Sequence, residues 1–572
     1  MPLKSRYPDV QFRETDLFSF VFDRQHRPCP ENKVIFQDAS EPSLYHTFAQ
    51  VRDRAVEFGL ALRDRFQFSK HDVLALYSPN NIDVPCLVFG TLWAGGVVSP
   101  ANPAYTVDEL AYQLNDSGAK VLVSHISTIS KAKVACAKVG IPEARILVIG
   151  NDHGERQGCL DWKSFQARTN ALASQLTATH VTPKEDLAFL AYSSGTTGRP
   201  KGVMLTHFNV TANIQQVRDM EVVASDNSIS VPGIPDAPSS GDKILACLPF
   251  FHIYGLTSMM INPLFTGVQC LVMEKFEIEA WCRAVQDHRV TVGYIVPPIV
   301  LLLCKHPAVE KYDLSSLRMT TSGAAPLTRE LVEAAFKRKG VRVKQGYGLT
   351  ETSPALFVTK WDDWNRRFGT TGELIPNVLA KICDPSEEGD FNMTHELPIG
   401  QTGELYVKGP NVFHGYHNNL TATAECLRDG WFRTGDIGHL NQEGFLTITD
   451  RAKELIKYKG FQVAPAELEG TLSDHHLVDD VAVIGVRLED QETEAPRAYI
   501  VKKGGLRAVK PGDEEEIMQW LEKRVSNHKR LRGGIKFVES IPKSASGKIL
   551  RRILKGDVKM ETEERSNREN KL

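Results

Sequence analysis

Apolar runs of strand length alternate with amphipathic helical stretches along most of this chain. That alternation is the pattern of an α/β protein whose sheets are largely buried. "DVLALYSPN" (residues 72–80) and "GAKVLVSH" (118–125) read as buried strands ending in turn residues. "LTRELVEAAFKRKG" (327–340) reads as a helix, capped by Thr328, with Leu331, Ala335 and Phe336 on one face and Gly340 at the C-terminal cap. No internal period of about 20 to 50 residues is present, which argues against a repeat protein.

Some segments break the alternation. "VVASDNSISVPGIPDAPSSGDK" (222–243) is rich in Ser, Pro, Asp and Gly and reads as a surface insertion. A second loop, "DPSEEGDFNMTHELPIG", begins at Asp384. In "TITDRAKELIKYKG" a strand ends at Asp450 and a charged, glycine-bearing segment follows. This predicts an N-terminal domain over residues 1–450, a hinge at 450–453 and a C-terminal domain over 454–572.

At 572 residues the chain is too long for one core, so at least two domains are expected. A hydrophobic share of 42% and a charged share of 24% fit a globular protein. Lys plus Arg number 68 and Asp plus Glu 70, a net charge of −2 that calls for neither nucleic acid nor an anionic membrane. The ten cysteines are scattered singly and read as buried free thiols in a reducing compartment. The longest apolar run, "YIVPPIVLLLC" from Tyr294, holds two prolines and is too short to span a bilayer. The start "MPLKSRYPDVQFRE" lacks the apolar stretch of a secretory signal. Together these read as an intracellular, soluble protein.

The stretch with most chemistry is "YSSGTTGRPKGVML" (192–205), placed after the apolar run "DLAFLA". Glycines let backbone N–H groups approach an anion, and Ser and Thr hydroxyls add donors, so the loop suits phosphates. Its spacing is not that of a Walker loop. "QGYGLTE" (345–351) sets small residues beside Tyr347, with Glu351 suited to Mg²⁺. "WFRTGD" (431–436) ends in an acid suited to a ribose diol. "IPKSASGKIL" (541–550) offers Lys548 in a Ser/Gly-rich setting. Taken singly, each also reads as an ordinary turn or solvated surface.

Together, in this order, these motifs resemble the adenylate-forming superfamily of acyl-CoA synthetases, luciferases and peptide-synthetase adenylation domains. "SSGTTGRPKG", "GYGLTE", "RTGD", "DRAKELIKYKG" and "SASGKILRR" carry the resemblance, which runs from about residue 15 to residue 555. "LPFFHIYGL", "TSGAAPL" and "KYKGFQVAPAELE" are most similar to 4-coumarate–CoA ligases and their peroxisomal relatives. The resemblance implies a large N-terminal part of two α/β subdomains and a β-barrel-like piece. A small mobile α+β C-terminal domain caps it.

It also implies ATP, Mg²⁺ and coenzyme A as reactants or cofactors, and an acid that becomes an acyl-adenylate and then a thioester. Ser193, Ser194, Gly195, Thr196, Thr197, Gly198 and Lys201 would hold the phosphates, and Glu351 with Thr197 the Mg²⁺. Ala325, Gln345, Gly346 and Tyr347 would frame the adenine, Asp436 and Arg451 the ribose, and Thr350 the α-phosphate. Lys548 would bridge carboxylate and phosphate during adenylation. Rotation about Lys453 would then bring in Lys457 and Gln462, with Lys459 and Gly460 contacting coenzyme A. His252, Tyr254, Ser258, Gly323, Ala324, Gly348, Pro354 and Ala355 would line the acyl pocket, where glycine and alanine leave room and Tyr254 offers a hydroxyl.

Plant ligases of this group usually carry lysine where this chain has Thr321, and often valine at Ala355, so the implied acid is arylalkanoic, hydroxycinnamic-like or a medium-chain fatty acid. Rival readings are a luciferase-like or stand-alone adenylating enzyme with another acceptor, and a non-catalytic nucleotide binder. The terminal Asn570-Lys571-Leu572 resembles the peroxisomal S-K-L address, which implies a peroxisomal import receptor as partner and peroxisomal localisation.

Overall fold

The computed structural model describes residues 2–150, 157–165, 176–193, 200–227, 241–325, 327–385, 395–452, 454–458, 461–488, 493–544, 547–558 and 560. Ser194, Gly195, Thr196, Thr197, Gly198, Lys453, Lys459, Gly460 and the Asn570-Lys571-Leu572 terminus therefore lie outside the described residues, as does the side chain of Gln462.

The apolar runs become parallel strands because continuous hydrophobicity suits a strand covered on both faces. One seven-stranded sheet runs Lys201–Thr206, Leu187–Ser193, Val97–Ala101, Val73–Tyr77, Ala119–His125, Ile146–Ile149, Leu160–Asp161, among the described residues. Every residue of Val73–Tyr77 is buried. A nine-stranded sheet has a parallel centre, including Val292–Ile295, Met319–Ser322 and Val343–Gly348, and turns antiparallel at Ala355–Val358. The expected barrel-like piece is a six-stranded antiparallel sheet built on Leu379–Cys383, Gly403–Lys408, Trp431–Leu440 and Leu446–Arg451.

Beyond it the chain forms its own small α+β unit. The strands Val478–Leu488, Thr493–Lys502 and Ile535–Phe537 pack with the helices Pro465–Ser473 and Asp513–Glu522. Val463, Leu468, Leu472, Ile500, Ile517 and Leu521 make a core separate from that of the large part. A separate core is what allows this unit to move as a body.

Three sequence expectations need correction. The surface insertion expected from Val222 begins later, because the helix His207–Asn227 runs on through its first residues, and the strand Lys243–Ala246 takes its last. The first strong helix breakers there are Pro232 and Gly233, not Val222. The strand expected to end at Asp450 continues to Arg451, which pairs with Asp436 across the sheet. In the helix Arg329–Lys339, Thr328 and Gly340 cap as expected, yet the buried residues are Val332 and Ala335. Phe336 is 42% exposed and leans on Trp364.

All ten cysteines are free thiols, eight of them buried. Among the described residues no helix is long and apolar enough to cross a membrane.

Candidate active site

A cavity of about 1190 Å³ opens where the large part meets the C-terminal unit. On one side, Leu187–Ser193 and Lys201–Thr206 form an antiparallel pair with Ser193 opposite Lys201, so both ends of the Ser/Thr/Gly loop reach the cavity wall. The Lys201 ammonium sits 4.8 Å from the centre of the Tyr416 ring. Tyr416 donates from its hydroxyl to Glu351 Oε1 at 2.9 Å, and Ser193 reaches the same oxygen at 3.4 Å. Glu351 is 8% exposed and lines the cavity. Burial, then Glu351, pushes the Tyr416 phenol far above its ordinary range, so it stays a donor. The segment carrying Tyr416 is fixed by backbone bonds from His417 to Gly202 and from Met204 to Gly415.

On the second wall, Arg451 Nε stands 3.0 Å from Asp436 Oδ1, and the Tyr347 hydroxyl donates to the other carboxylate oxygen. The arginine and aspartate are cross-strand partners, so the pair follows from register. Asp436 is 3% exposed beneath them and does not itself line the cavity. The acid expected to serve a ribose is thus already paired with Arg451 and Tyr347. Gln345 and Ala325 also fall outside the cavity lining, and the Gln345 carbonyl accepts from Thr359 within the sheet. Gly346, Tyr347 and Thr350 do line it.

The C-terminal unit supplies Lys548, from a turn in which Ser544 and Lys548 exchange hydrogen bonds. The preceding Gly547 has φ +81°, and a Cβ there would meet Pro298 Cγ at 2.9 Å, so only glycine lets this turn seat against the large part. Burial, then Arg451, lowers the Lys548 ammonium to about 8, against the opposing pull of Glu454 and Asp436. His252, on the facing wall, is lowered to about 4 by burial and then by Lys548, so it is neutral at physiological pH. Lys457 lies exposed at the rim of the same cavity, opposite Gln462 in the pair Ile456–Tyr458 and Phe461–Val463.

Where the two units join, Asp450 accepts from the backbone N–H of Ala466, in the first turn of Pro465–Ser473, and from that of Arg451. Burial raises its carboxyl to about 7. Lys305 makes a further contact to Asp479 at 3.0 Å.

His252, Tyr254, Ser258, Gly323, Ala324, Gly348, Pro354 and Ala355, the residues expected to form an acyl pocket, all line the cavity. Two reasons given for them change. The Tyr254 hydroxyl donates to the Thr321 carbonyl at 2.9 Å, so it is not a free donor for substrate. Gly348 makes no room for an acyl chain: a Cβ there would lie 1.8 Å from the Pro354 carbonyl oxygen, so the backbones themselves demand glycine. Sequence reasoning missed Tyr416 and Asn213, whose amide exchanges two hydrogen bonds with the Ala355 backbone. No local signal marks either, since each acts across a long chain separation.

Residues 22–417 match the AMP-binding enzyme family, and residues 467–548 match the AMP-binding enzyme C-terminal domain. A probable 4-coumarate–CoA ligase 1 from Dictyostelium discoideum is 36% identical over 564 residues, covering 96% of this chain and 97% of that protein. ATP-bound MatB from Rhodopseudomonas palustris is similar in structure, with a TM-score of 0.79 at 28% identity over 94% of this chain and 98% of its own. Apo MatB from that organism gives a TM-score of 0.69 at 28% identity over 95% of this chain and 98% of its own. With fold, cavity and both matched segments in agreement, this chain belongs to the AMP-binding enzyme family.

Proposed function

We propose that this chain is an ATP-dependent acyl-CoA ligase. One observation carries the reading: Lys548 from the C-terminal unit, the Arg451–Asp436–Tyr347 cluster and the Tyr416-held Glu351 converge on one cavity that also has an acyl wall.

In the first step a carboxylate oxygen of the acid attacks the α-phosphorus of ATP. A P–O bond forms, the bond to the bridging oxygen breaks, and pyrophosphate leaves. The acid is already ionised at neutral pH, so no base is required. The barrier is repulsion between anions, and the protein's task is to place cations and fixed donors around them. Lys548 meets the carboxylate and α-phosphate, Thr350 the phosphate, Arg451 the ribose, and Lys201 with the Ser193–Gly198 segment the departing phosphates. Neutral His252 walls the carboxylate without adding charge.

Glu351 suits Mg²⁺, because it is a carboxylate lining the cavity and Tyr416 holds one of its oxygens in place. When bound, the cation would neutralise charge on the leaving pyrophosphate; Thr197 is the second proposed ligand.

In the second step the sulfur of coenzyme A attacks the acyl carbon. A C–S bond forms, the bond to the AMP oxygen breaks, and the thiol proton passes to solvent. Rotation at Lys453 would withdraw Lys548 and bring Lys457 and Gln462 inward, with Lys459 and Gly460 toward coenzyme A. Peroxisomal import through Asn570-Lys571-Leu572 is proposed from sequence alone; a fluorescent fusion that stays cytosolic would contradict it.

The test is pyrophosphate release over a panel of cinnamic, phenylacetic, benzoic and fatty acids, with and without coenzyme A, with products read by mass. Acid-dependent release with thioester supports a ligase. Release without thioester indicates another acceptor, and ATP binding without release a silent binder.

A further inference from the structure

The C-terminal unit touches the helix Pro297–Lys305 of the large part at both of its ends. At the start, Gly547 packs on the Pro298 ring so closely that a Cβ would lie 2.9 Å from Pro298 Cγ. At the last residue, Lys305 Nζ reaches Asp479 Oδ1 at 3.0 Å and donates to the Asp479 carbonyl at 3.2 Å. Residues 298 and 305 are about 10 Å apart at the rise of an α-helix. One contact fixes where a rigid unit sits. Two contacts this far apart, with the joint at Asp450 and Ala466, also fix how it is turned.

The contact at Asp479 is connected to the turn that carries Lys548. The next residue, Asp480, accepts from Lys543 Nζ at 2.6 Å. Lys543 lines the cavity and forms a β-bridge with Ile549 across the lysine turn. Bonds from Ser544 N–H to the Lys548 carbonyl, at 2.8 Å, and from Lys548 N–H to Ser544 Oγ, at 3.1 Å, close that turn. The strand Val478–Leu488 thus presents one aspartate to the large part and the next to the lysine turn. Asp480–Lys543 lies within the C-terminal unit and travels with it. Lys305–Asp479 joins the two units, so a rotation that withdraws Lys548 from the cavity breaks it. Both of its side chains are half-exposed, which makes the pair a modest clamp that rotation can undo.

We propose that Lys305 is a positioning residue for adenylation: through Asp479 it holds the C-terminal unit in the orientation that presents Lys548, and its release accompanies the second step. This rests on the ligase reading above and names a residue that sets the balance between its two steps.

The test measures two half-reactions by single turnover: acid plus ATP to acyl-adenylate, and supplied acyl-adenylate plus coenzyme A to thioester. The proteins are the wild type, Lys305→Glu, Asp479→Lys and the exchanged pair carrying both substitutions. Each single reversal sets like charges face to face. It should slow adenylation roughly threefold to tenfold and leave thioester formation at or above the wild-type rate. The exchanged pair should recover adenylation to within about twofold of wild type. A Lys305→Glu variant with unchanged adenylation, or with both half-reactions slowed equally, overturns the proposal and leaves the ligase intact. So does an exchanged pair that recovers nothing. A wild type that makes no thioester overturns the ligase reading, and the proposal falls with it.

Discussion

The Tyr416 hydroxyl lies 2.9 Å from Glu351 Oε1, across 65 residues of chain, and both residues line the cavity. Tyr416 therefore orients the proposed Mg²⁺ ligand. Tyr416→Phe removes a hydrogen bond to a charged group, an interaction of about 1.5–3 kcal/mol. Adenylation should fall roughly tenfold to a hundredfold, with a higher Mg²⁺ concentration at half-maximal rate. An unchanged Mg²⁺ titration would contradict the positioning role.

Lys548 gives the first step a pH limit. Its ammonium is lowered to about 8 in the free protein, so the charge that meets the carboxylate is lost as pH rises through that value. The kcat/KM for adenylation, which reports the free enzyme, should decline above about pH 8. Lys548→Arg should abolish that decline even if it slows the reaction. A profile flat to pH 10 would mean that Lys548 does not act as a cation in this step.

Asp450 sits where the two units join, with Ala466 N–H, Arg551 and Glu454 around it. Its carboxyl is raised to about 7, so this contact binds a proton more readily than an exposed aspartate does. The arrangement with Asp450 buried gains stability below the ordinary aspartate range and loses it as pH rises through about 7. Asp450→Asn keeps an acceptor for the Ala466 N–H and removes the titration. The thermal midpoint of the variant, compared with wild type, should rise more at pH 8 than at pH 5. Equal shifts at both values would show that burial of the charge costs little.

The fold was legible where burial alone dictates residue type. Val73–Tyr77 is apolar and buried along its whole length, and Ala119–His125 is buried at every position but Lys120, because both faces are covered; the apolar runs VLALY and VLV report that directly. The cap residues Thr328 and Gly340 were legible because helix ends have their own chemistry. Lys201, Lys457, Lys548 and Gly346, which line the cavity, stood out in the sequence through their motifs. What could not be read was which groups the protein already uses up. Asp436 reads as a ribose acceptor in "RTGD", and its pairing with the cross-strand neighbour Arg451 has no mark in that motif. Gly348 looks like space, yet Pro354 fills that space. Tyr254 looks like a substrate donor, yet the Thr321 carbonyl receives its hydrogen. These are properties of long-range contacts, which no local pattern encodes.

We propose that one cavity performs both steps with different faces of the C-terminal unit. The most direct measurement is single-turnover kinetics of both half-reactions in Lys548→Ala: acid plus ATP to acyl-adenylate, and supplied acyl-adenylate plus coenzyme A to thioester. The account predicts that adenylation is lost by a large factor, on the order of a hundredfold or more, while thioester formation stays near the wild-type rate. Equal loss of both half-reactions would contradict it.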